Sequence, residues 1–336
     1  MKALLCKSPG ALEIIERPHP VAKAGEVLVR IARAGVCGTD LHIFDGSQPY
    51  FEYPRIIGHE LAGNVESAAP GSAFKPGQQV AIIPYLACGQ CVACRRGKTN
   101  CCQKLSVLGV HTDGGMADYL CVPEDNLFPA DGVTMDQAAM VEFLAIGAHA
   151  VRRGMVSVRQ RVLVVGAGPI GIACMIFCKL RGANVTALDT RNDRLQFCVR
   201  EKLADHSVRA GAGAKDELSR LTQGEFYDCV FDATGNANAM NAGFELVAHG
   251  GAYVLVSIVR DVISFSDPEF HKRETMLLSS RNATREDFDA VFSALRAGRI
   301  PTAALNTHRA KLTDAPGLFA HWIDPASGVI KAILEI

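Results

Sequence analysis

The chain has 336 residues, enough for about two domains of ordinary size with a core each. Lysine and arginine together number 35, as do aspartate and glutamate, so the formal net charge is zero and the basic excess of a nucleic-acid-binding protein is missing. The N-terminal segment has too short an apolar run for a signal peptide. We therefore expect a cytoplasmic protein with no membrane or nucleic-acid partner, in which the 12 cysteines stay reduced.

The first 150 residues predict a strand-rich unit with irregular loops. They are rich in glycine and proline, and short β-branched runs recur at residues 26–35, 55–68, 78–86 and 117–123. From about residue 160 the pattern changes to alternating strands and helices, which indicates a doubly wound parallel sheet of the α/β class. Helices are predicted over 192–202 and near 238–247. The final segment, VIKAILEI (329–336), is typical of a strand, and we expect it to return to the first domain.

Three short stretches carry side chains of the kinds that bind zinc. They are AGVCGTDLH (34–42), GHELAG (58–63) and VEFLAIGAHA (141–150). Cys37 and His59 offer a thiolate and an imidazole, and Glu60 and Glu142 add carboxylates. Any one of these residues alone is more often structural, since a buried cysteine usually serves as a small apolar residue. Their joint occurrence ahead of a dinucleotide-binding pattern favours a catalytic metal site.

The stretch CGQCVACRRGKTNCC (88–102) suggests a disulfide knot, an iron–sulfur cage, a redox pair or a zinc site. Its spacing decides between them, because a ferredoxin-type run places the fourth cysteine after three residues and follows it with proline, whereas here seven residues intervene and Gln103 follows. A redox C-x-x-C pair belongs at a strand–helix junction, and this one lies in a loop rich in glycine and arginine. Four thiolates at short spacing predict a closed structural zinc site, with Cys101 as the spare cysteine and these ligands: Cys88, Cys91, Cys94 and Cys102.

The segment VLVVGAGPIGIACMIFCKLRGANVTALD (162–189) predicts a dinucleotide site. Its apolar run at 162–178 contains three glycines and a proline, which favours a buried strand, turn and helix over a membrane span. Gly166 permits a tight turn, Gly168 lets the backbone approach a pyrophosphate, and Gly171 allows close helix–strand packing. The same loop contributes Pro169 and Ile170 to cofactor binding.

An acidic residue at the end of the next strand favours NAD over NADP. Asp189 follows Gly171 by eighteen residues, and its carboxylate is expected to accept hydrogen bonds from the adenosine ribose and to repel a 2′-phosphate. Arg191 and Arg194 lie nearby and weaken that preference. Arg194 and Ser257 are further cofactor-binding candidates.

These motifs, in this order, resemble those of the zinc-dependent medium-chain alcohol and polyol dehydrogenases. The resemblance covers essentially the whole chain and is carried by CGTDLH (37–42), GHE (58–60), the cysteine cluster, VEFLAIGAHA (141–150), GAGPIG (166–171) and DATG (232–235). A narrower resemblance, to bacterial sugar-acid dehydrogenases that oxidise L-galactonate or a related aldonate at C5, is carried by YPRIIGHE (53–60), GKTNCC (97–102), GVHTDGG (109–115) and residues 267–284.

The resemblance implies a strand-rich, GroES-like catalytic domain at 1–148 with 282–336, and a Rossmann-type NAD-binding domain at 149–281. It implies one catalytic and one structural zinc ion per chain, the catalytic ion being held by Cys37, His59 and either Glu142 or Glu60. Zinc would polarise the substrate hydroxyl while NAD+ accepts a hydride. Phe143 departs from the family, which usually has proline there. Family members are usually homodimers or homotetramers acting on small alcohols.

The resemblance also implies a proton relay and a substrate contact. Thr39 and His42 match the relay to solvent; the alternative for each is an ordinary loop residue. Arg281 matches a substrate-binding arginine and would suit a sugar-acid carboxylate, whereas the alternative is a surface or subunit-contact arginine. His271 and Lys272 are weaker candidates for the same role.

Other functions remain open at this stage. The substrate could be L-threonine, sorbitol, L-idonate or another polyol instead of a sugar acid. A non-catalytic NAD-binding protein would have no need to keep Cys37, His59 and Glu60 together. A zinc-free quinone reductase of the same superfamily would lack both the GHE residues and the cysteine cluster, which excludes it.

Overall fold

The computed structural model describes residues 1–49 and 51–336. It contains two compact units, Met1–Glu142 with Thr284–Ile336, and Phe143–Ala283. The predicted domain boundaries differ from these units by a few residues, and the assignment of a catalytic and a coenzyme domain stays a prediction at this point.

The strands are labelled in chain order. They are β1 Lys2–Ser8, β2 Ala11–Glu16, β3 Glu26–Val36, β4 Arg55–Ile56, β5 Glu60–Ser67, β6 Gln79–Ile82, β7 Tyr85–Leu86, β8 Ser106–Val107, β9 Tyr119–Pro123, β10 Leu127–Pro129, β11 Arg161–Val165, β12 Asn184–Asp189, β13 His206–Arg209, β14 Tyr227–Asp232, β15 Val247–Leu255, β16 Met276–Ser279, β17 Asn306–Lys311 and β18 Lys331–Glu335.

The helices are labelled in the same way. They are α1 Gly38–Asp45, α2 Val92–Arg95, α3 Met135–Ala139, α4 Val141–Arg153, α5 Pro169–Leu180, α6 Asn192–Arg200, α7 Ala214–Leu221, α8 Ala237–Gly243, α9 Asp267–Lys272, α10 Arg285–Arg296, α11 Thr302–Leu305 and α12 Ala315–Trp322. The predicted helix near 238–247 is shorter than expected. Gly243 packs against the Tyr253 ring, a 3₁₀ turn follows, and β15 already begins at Val247.

The first unit is strand-rich, as the sequence predicts. Its main sheet has the order β10–β6–β5–β3–β18–β17, and β9 also pairs with β3. Strand β3 alternates between the core and the surface in its central part, with Val29 and Ile31 buried on either side of exposed Arg30. The C-terminal strand β18 runs antiparallel to β3, so residues about 300 positions apart in sequence become neighbours.

The second unit is a doubly wound parallel sheet, which confirms the predicted fold class. Its strand order is β13–β12–β11–β14–β15–β16, and every neighbouring pair is parallel. The chain reverses its direction of travel across the sheet between β11 and β14, and in such sheets ligands bind in the crevice at the carboxyl ends of these strands.

The longest apolar run of the sequence forms strand β11, a glycine turn and helix α5. Residues 171–178 of α5 are all buried, which explains why this short helix is apolar on every side. Among the described residues, no helix combines the length and the apolar character needed to span a bilayer.

Candidate active site

Three ligand-type side chains meet where β3 ends and β5 begins. Cys37 precedes α1, His59 precedes β5, and Glu60 is the first residue of β5, paired with Gly35 of β3. One ligand atom of each lies within 4.8 Å of the others. His59 and Glu60 are buried, whereas Cys37 is half-buried. A thiolate, an imidazole and a carboxylate at this spacing are the donor set of a catalytic zinc site.

A buried aspartate stands behind this cluster. Asp40 Oδ1 faces His59 Nδ1 at 3.6 Å, and within the described chain neither atom has a hydrogen-bond partner. Asp40 Oδ2 accepts a hydrogen bond from the backbone N–H of Cys37 at 2.9 Å. Although burial acts to lower the pKa of His59, the Asp40 carboxylate and the Cys37 thiol raise it well above its ordinary value. Asp40 therefore holds the Cys37 backbone by a hydrogen bond and places a carboxylate behind His59, where carboxylates often lie behind metal-binding histidines.

The two candidate glutamates are held in different ways. Lys331 Nζ donates to both carboxylate oxygens of Glu60, at 2.6 and 2.7 Å, and is itself fully buried. Glu142, in the first turn of α4, accepts a hydrogen bond from the Tyr85 hydroxyl at Oε1, while Oε2 is buried with no hydrogen-bond partner among the described residues. Burial raises the pKa of Glu142 to about 7. Of the described residues, Glu60 lies within the 4.8 Å group and Glu142 does not.

The predicted departure at Phe143 leaves α4 intact. Helix α4 runs without interruption through Glu142 and Phe143, and the Phe143 side chain is fully buried.

The two residues of the predicted relay lie on a helix. Thr39 and His42 are three residues apart on α1 and not in a loop, and their role in a relay stays a prediction. Three-residue spacing puts both side chains on one face of the helix. Thr39 is half-buried, whereas the His42 side chain is 63% exposed, with Nδ1 3.0 Å from Ser47 Oγ. The pair therefore extends from the interior towards solvent.

Four of the five clustered cysteines come together around α2. The sulfur atoms of Cys88, Cys91, Cys94 and Cys102 all lie within 4.8 Å of one another. Backbone N–H groups of Cys88 and Lys104 point at Cys102 Sγ, at 3.2 and 3.3 Å. Cys101 is exposed and outside the group. Four convergent sulfurs with N–H donors fit a closed tetrahedral zinc site, because such donors stabilise thiolates.

The glycine turn between β11 and α5 has three different steric requirements. Gly166 adopts φ +95°, and a Cβ there would lie 3.0 Å from the Ala233 carbonyl. A Cβ on Gly171 would lie 1.8 Å from the Gly166 oxygen, so helix and turn touch at this point. A Cβ on Gly168, immediately before Pro169 and Ile170, would meet no atom of the chain within 4 Å. The open space lies at the N-terminus of α5, where a pyrophosphate would be stabilised.

Asp189 ends β12 next to this turn. Its Oδ2 accepts a hydrogen bond from the N–H of Ala167 at 2.6 Å, and its Oδ1 accepts one from the N–H of Arg191 at 2.8 Å. Arg191 forms an ion pair with Asp193 at 2.5 Å. Arg194 is buried, and burial lowers its pKa. Asp189 is thus fixed beside the glycine turn, and Arg191 is occupied by its ion pair with Asp193.

The remaining predicted residues lie in the same unit as the glycine turn. Ser257 is half-buried just after β15, and its N–H donates to the Asp232 carbonyl at 3.3 Å. Arg281 is exposed, two residues beyond the end of β16. His271 and Lys272 are exposed at the end of α9.

Comparison with known proteins identifies the family. Residues 23–132 match the alcohol dehydrogenase GroES-like domain, and residues 169–297 match the zinc-binding dehydrogenase family. L-galactonate-5-dehydrogenase of Escherichia coli K12 is 44% identical over 92% of this chain and 91% of its own length. The chain belongs to the zinc-type alcohol dehydrogenases. It is therefore an enzyme, and the non-catalytic alternative is excluded.

Two further relatives of this dehydrogenase agree with the match. D-altritol 5-dehydrogenase of Agrobacterium fabrum is 32% identical, and the alignment covers both chains completely. A crystal structure of the RspB alcohol dehydrogenase of E. coli CFT073, complexed with the cofactor NADH, has a TM-score of 0.93 at 31% identity and covers 100% of this chain and 99% of that one. The predicted zinc cofactor is confirmed by the family, and the chain offers two groups of side chains able to hold it.

Sequence reasoning missed three residues of this dehydrogenase's site. Asp40, Tyr85 and Lys331 each contact a candidate ligand. Asp40 could have been found from the sequence, because an acidic residue three positions after a helix N-cap, here Cys37, often bonds back to the N-cap backbone. Tyr85 and Lys331 could not have been found in this way, because they lie 57 and 271 residues from the glutamates they bind.

Proposed function

We propose that this enzyme oxidises a secondary alcohol of a sugar acid, with L-galactonate oxidised at C5 as the best candidate, and transfers the hydride to NAD+. The observation that carries the proposal is the 44% identity to L-galactonate-5-dehydrogenase over 92% of the chain. A second relative, D-altritol 5-dehydrogenase, is named for the same carbon of a polyol, which supports position 5 more strongly than it supports the acid group.

In this proposal Cys37, His59 and one glutamate hold the catalytic zinc, and the four clustered cysteines hold the structural one. Bound there, zinc would polarise the substrate hydroxyl and so favour loss of its proton. Asp40 holds the Cys37 backbone by a hydrogen bond and lies 3.6 Å from the His59 ring. NAD+ bound at the glycine turn would accept the C–H hydrogen together with two electrons, so that the overall products would be a ketone, NADH and one proton.

The proton leaves along α1. The half-buried Thr39 hydroxyl accepts the substrate proton as it releases its own towards His42, which is exposed one turn further along and delivers a proton to water. Ser47 Oγ lies 3.0 Å from Nδ1 of the His42 ring.

NAD+ is preferred over NADP+ because of Asp189. Its carboxylate is fixed by two backbone N–H groups beside the turn, and a 2′-phosphate would place like charges together. Arg191 forms an ion pair with Asp193, which weakens its attraction for a 2′-phosphate, and Arg194 is buried. Gly166, Gly168 and Gly171 shape the pyrophosphate site, and Ser257 adds a contact after β15.

The remaining assignments follow the family resemblance. Residues 1–148 with 282–336 form the catalytic domain and residues 149–281 the NAD-binding domain. Arg281 pairs with the substrate carboxylate. The protein is a homodimer or homotetramer of the cytoplasm, where its 12 free cysteines stay reduced.

A substrate panel tests the proposal. Purified enzyme with its zinc content measured is assayed for NADH formation on L-galactonate, other aldonates, D-altritol, sorbitol, L-idonate and L-threonine. L-galactonate is expected to give the highest kcat/KM. An Arg281→Ala variant should lose efficiency on the acid but not on the matching polyol. Higher efficiency on a polyol or on threonine would contradict the substrate, and the absence of turnover on every alcohol would contradict the reaction.

A further inference from the structure

Two buried glutamates, Glu60 and Glu142, are alternative candidates for the carboxylate ligand of the catalytic zinc. Their surroundings differ. Glu60 is closer to the other ligand atoms, so distance alone favours it. Hydrogen bonding favours Glu142, because Glu142 Oε2 is a buried carboxylate oxygen without a hydrogen-bond partner in the described chain. Such an oxygen carries a desolvation penalty unless something binds it.

The Glu60 carboxylate is enclosed by residues of two other strands, β3 and β18. Lys331 Nζ contacts both of its oxygens and also donates to the Val36 carbonyl at 3.2 Å. Gly35 lies on β3, the strand between those of Glu60 and Lys331, and a Cβ there would come within 2.1 Å of Glu60 Oε2. The missing side chain at Gly35 therefore makes room for the carboxylate. Moving Glu60 away would separate its carboxylate from a buried ammonium group, which is strongly unfavourable.

Glu142 is held in a way that leaves one oxygen available. The Tyr85 hydroxyl donates to Oε1, and Tyr85 is itself buried at β7, so its ring cannot turn to solvent. A tyrosine hydroxyl is a hydrogen-bond donor at neutral pH, and a carboxylate oxygen can only accept. A neutral donor on one oxygen fixes the rotation of the carboxylate without neutralising its charge.

We propose that Tyr85 is a positioning residue that presents Glu142 Oε2 to the catalytic metal, while Gly35 and Lys331 retain Glu60 and keep it from competing. The inference rests on the proposed zinc site and adds to it the residues that select the carboxylate. Asp40 lies next to the other two predicted ligands, with one oxygen bonded to the Cys37 backbone N–H and the other 3.6 Å from His59 Nδ1.

The test uses full-length enzyme in which cobalt(II) replaces zinc. The spectrum of a Cys37→Ala variant, which keeps the four-cysteine site, is subtracted to leave the catalytic site. Tyr85→Phe should shift the cobalt absorption bands and weaken metal binding about 10-fold or more, as loss of such partners does. Tyr253→Phe is the matched control, because it removes a buried hydroxyl that donates to the Met240 carbonyl in the other unit.

Two glutamine variants separate the carboxylates. Glu142→Gln should change the cobalt spectrum and weaken metal binding, whereas Glu60→Gln should leave the spectrum near that of the wild type. The opposite pattern would overturn the proposal, and so would a Tyr85→Phe spectrum identical to the wild type. If Tyr85→Phe fails to fold, the glutamine pair still decides. A wild-type protein with no cobalt signal beyond that of Cys37→Ala would instead refute the proposed metal site.

Discussion

Adding one methyl group at Gly168 or at Gly171 separates cofactor binding from folding. Both glycines belong to the turn between β11 and α5, but the space around them differs. The new Cβ at position 171 would lie 1.8 Å from the Gly166 oxygen and 2.9 Å from its carbonyl carbon, both backbone atoms that cannot swing away. The new Cβ at position 168 would meet nothing within 4 Å.

The magnitudes follow from these distances. Gly171→Ala overpacks a helix–turn contact, which costs about 1–3 kcal/mol and lowers Tm by about 2–10 °C for a unit of this size. Gly168 precedes α5 with φ −76°, which alanine adopts without strain. Gly168→Ala loses only the mild preference for glycine before a helix, about 0.5–1 kcal/mol. Its methyl group nevertheless occupies the space where the pyrophosphate would lie.

Differential scanning fluorimetry and NADH fluorescence titration measure the two effects. Gly168→Ala should keep its Tm within a few degrees while its NADH Kd rises about 10-fold or more, as expected when a methyl group displaces a phosphate from the helix N-terminus. Gly171→Ala should lose both stability and affinity. An unchanged NADH Kd in Gly168→Ala would refute the placement of the cofactor at this turn.

Three further predictions concern the other sites. Cys37→Ala should abolish NADH formation while the NADH Kd stays near that of the wild type; retained turnover would remove Cys37 from the metal site. Asp189→Ser should raise the KM for NAD+ by about 10- to 100-fold, because a charged acceptor for the ribose hydroxyls is lost, and it should improve the use of NADP+, because the repulsion of the 2′-phosphate is lost as well. An unchanged NAD+/NADP+ ratio of kcat/KM would show that other residues determine the selectivity. Cys102→Ser should lower the zinc content by one ion per chain and lower Tm, with Cys101→Ser as the unaffected control; equal zinc loss in both variants would contradict the assignment of the spare cysteine.

Features that depend on neighbouring residues could be predicted from the sequence. The glycine turn is an example, because the steric needs of Gly166 and Gly171 arise from each other and from the adjacent strand. The cysteine lobe is another, since its four sulfurs come from fifteen consecutive residues. In both, a spacing of a few residues already defines the geometry.

Features that depend on tertiary contact could not be predicted in this way. Lys331 lies on the last strand and reaches Glu60 only because β18 pairs with β3, and no motif links the two residues. Tyr85 was part of an apolar run with no polar role. The burial of Arg194 on α6 is a further example, whereas its role in cofactor binding stays a prediction.

The central claim is that a hydride passes from C5 of a sugar acid to NAD+. The most direct test supplies L-galactonate carrying deuterium at C5 and measures the mass of the NADH formed. We expect one deuterium per NADH and a slower rate than with unlabelled substrate. Unlabelled NADH formed at the full rate, with the deuterium retained in the product, would contradict it.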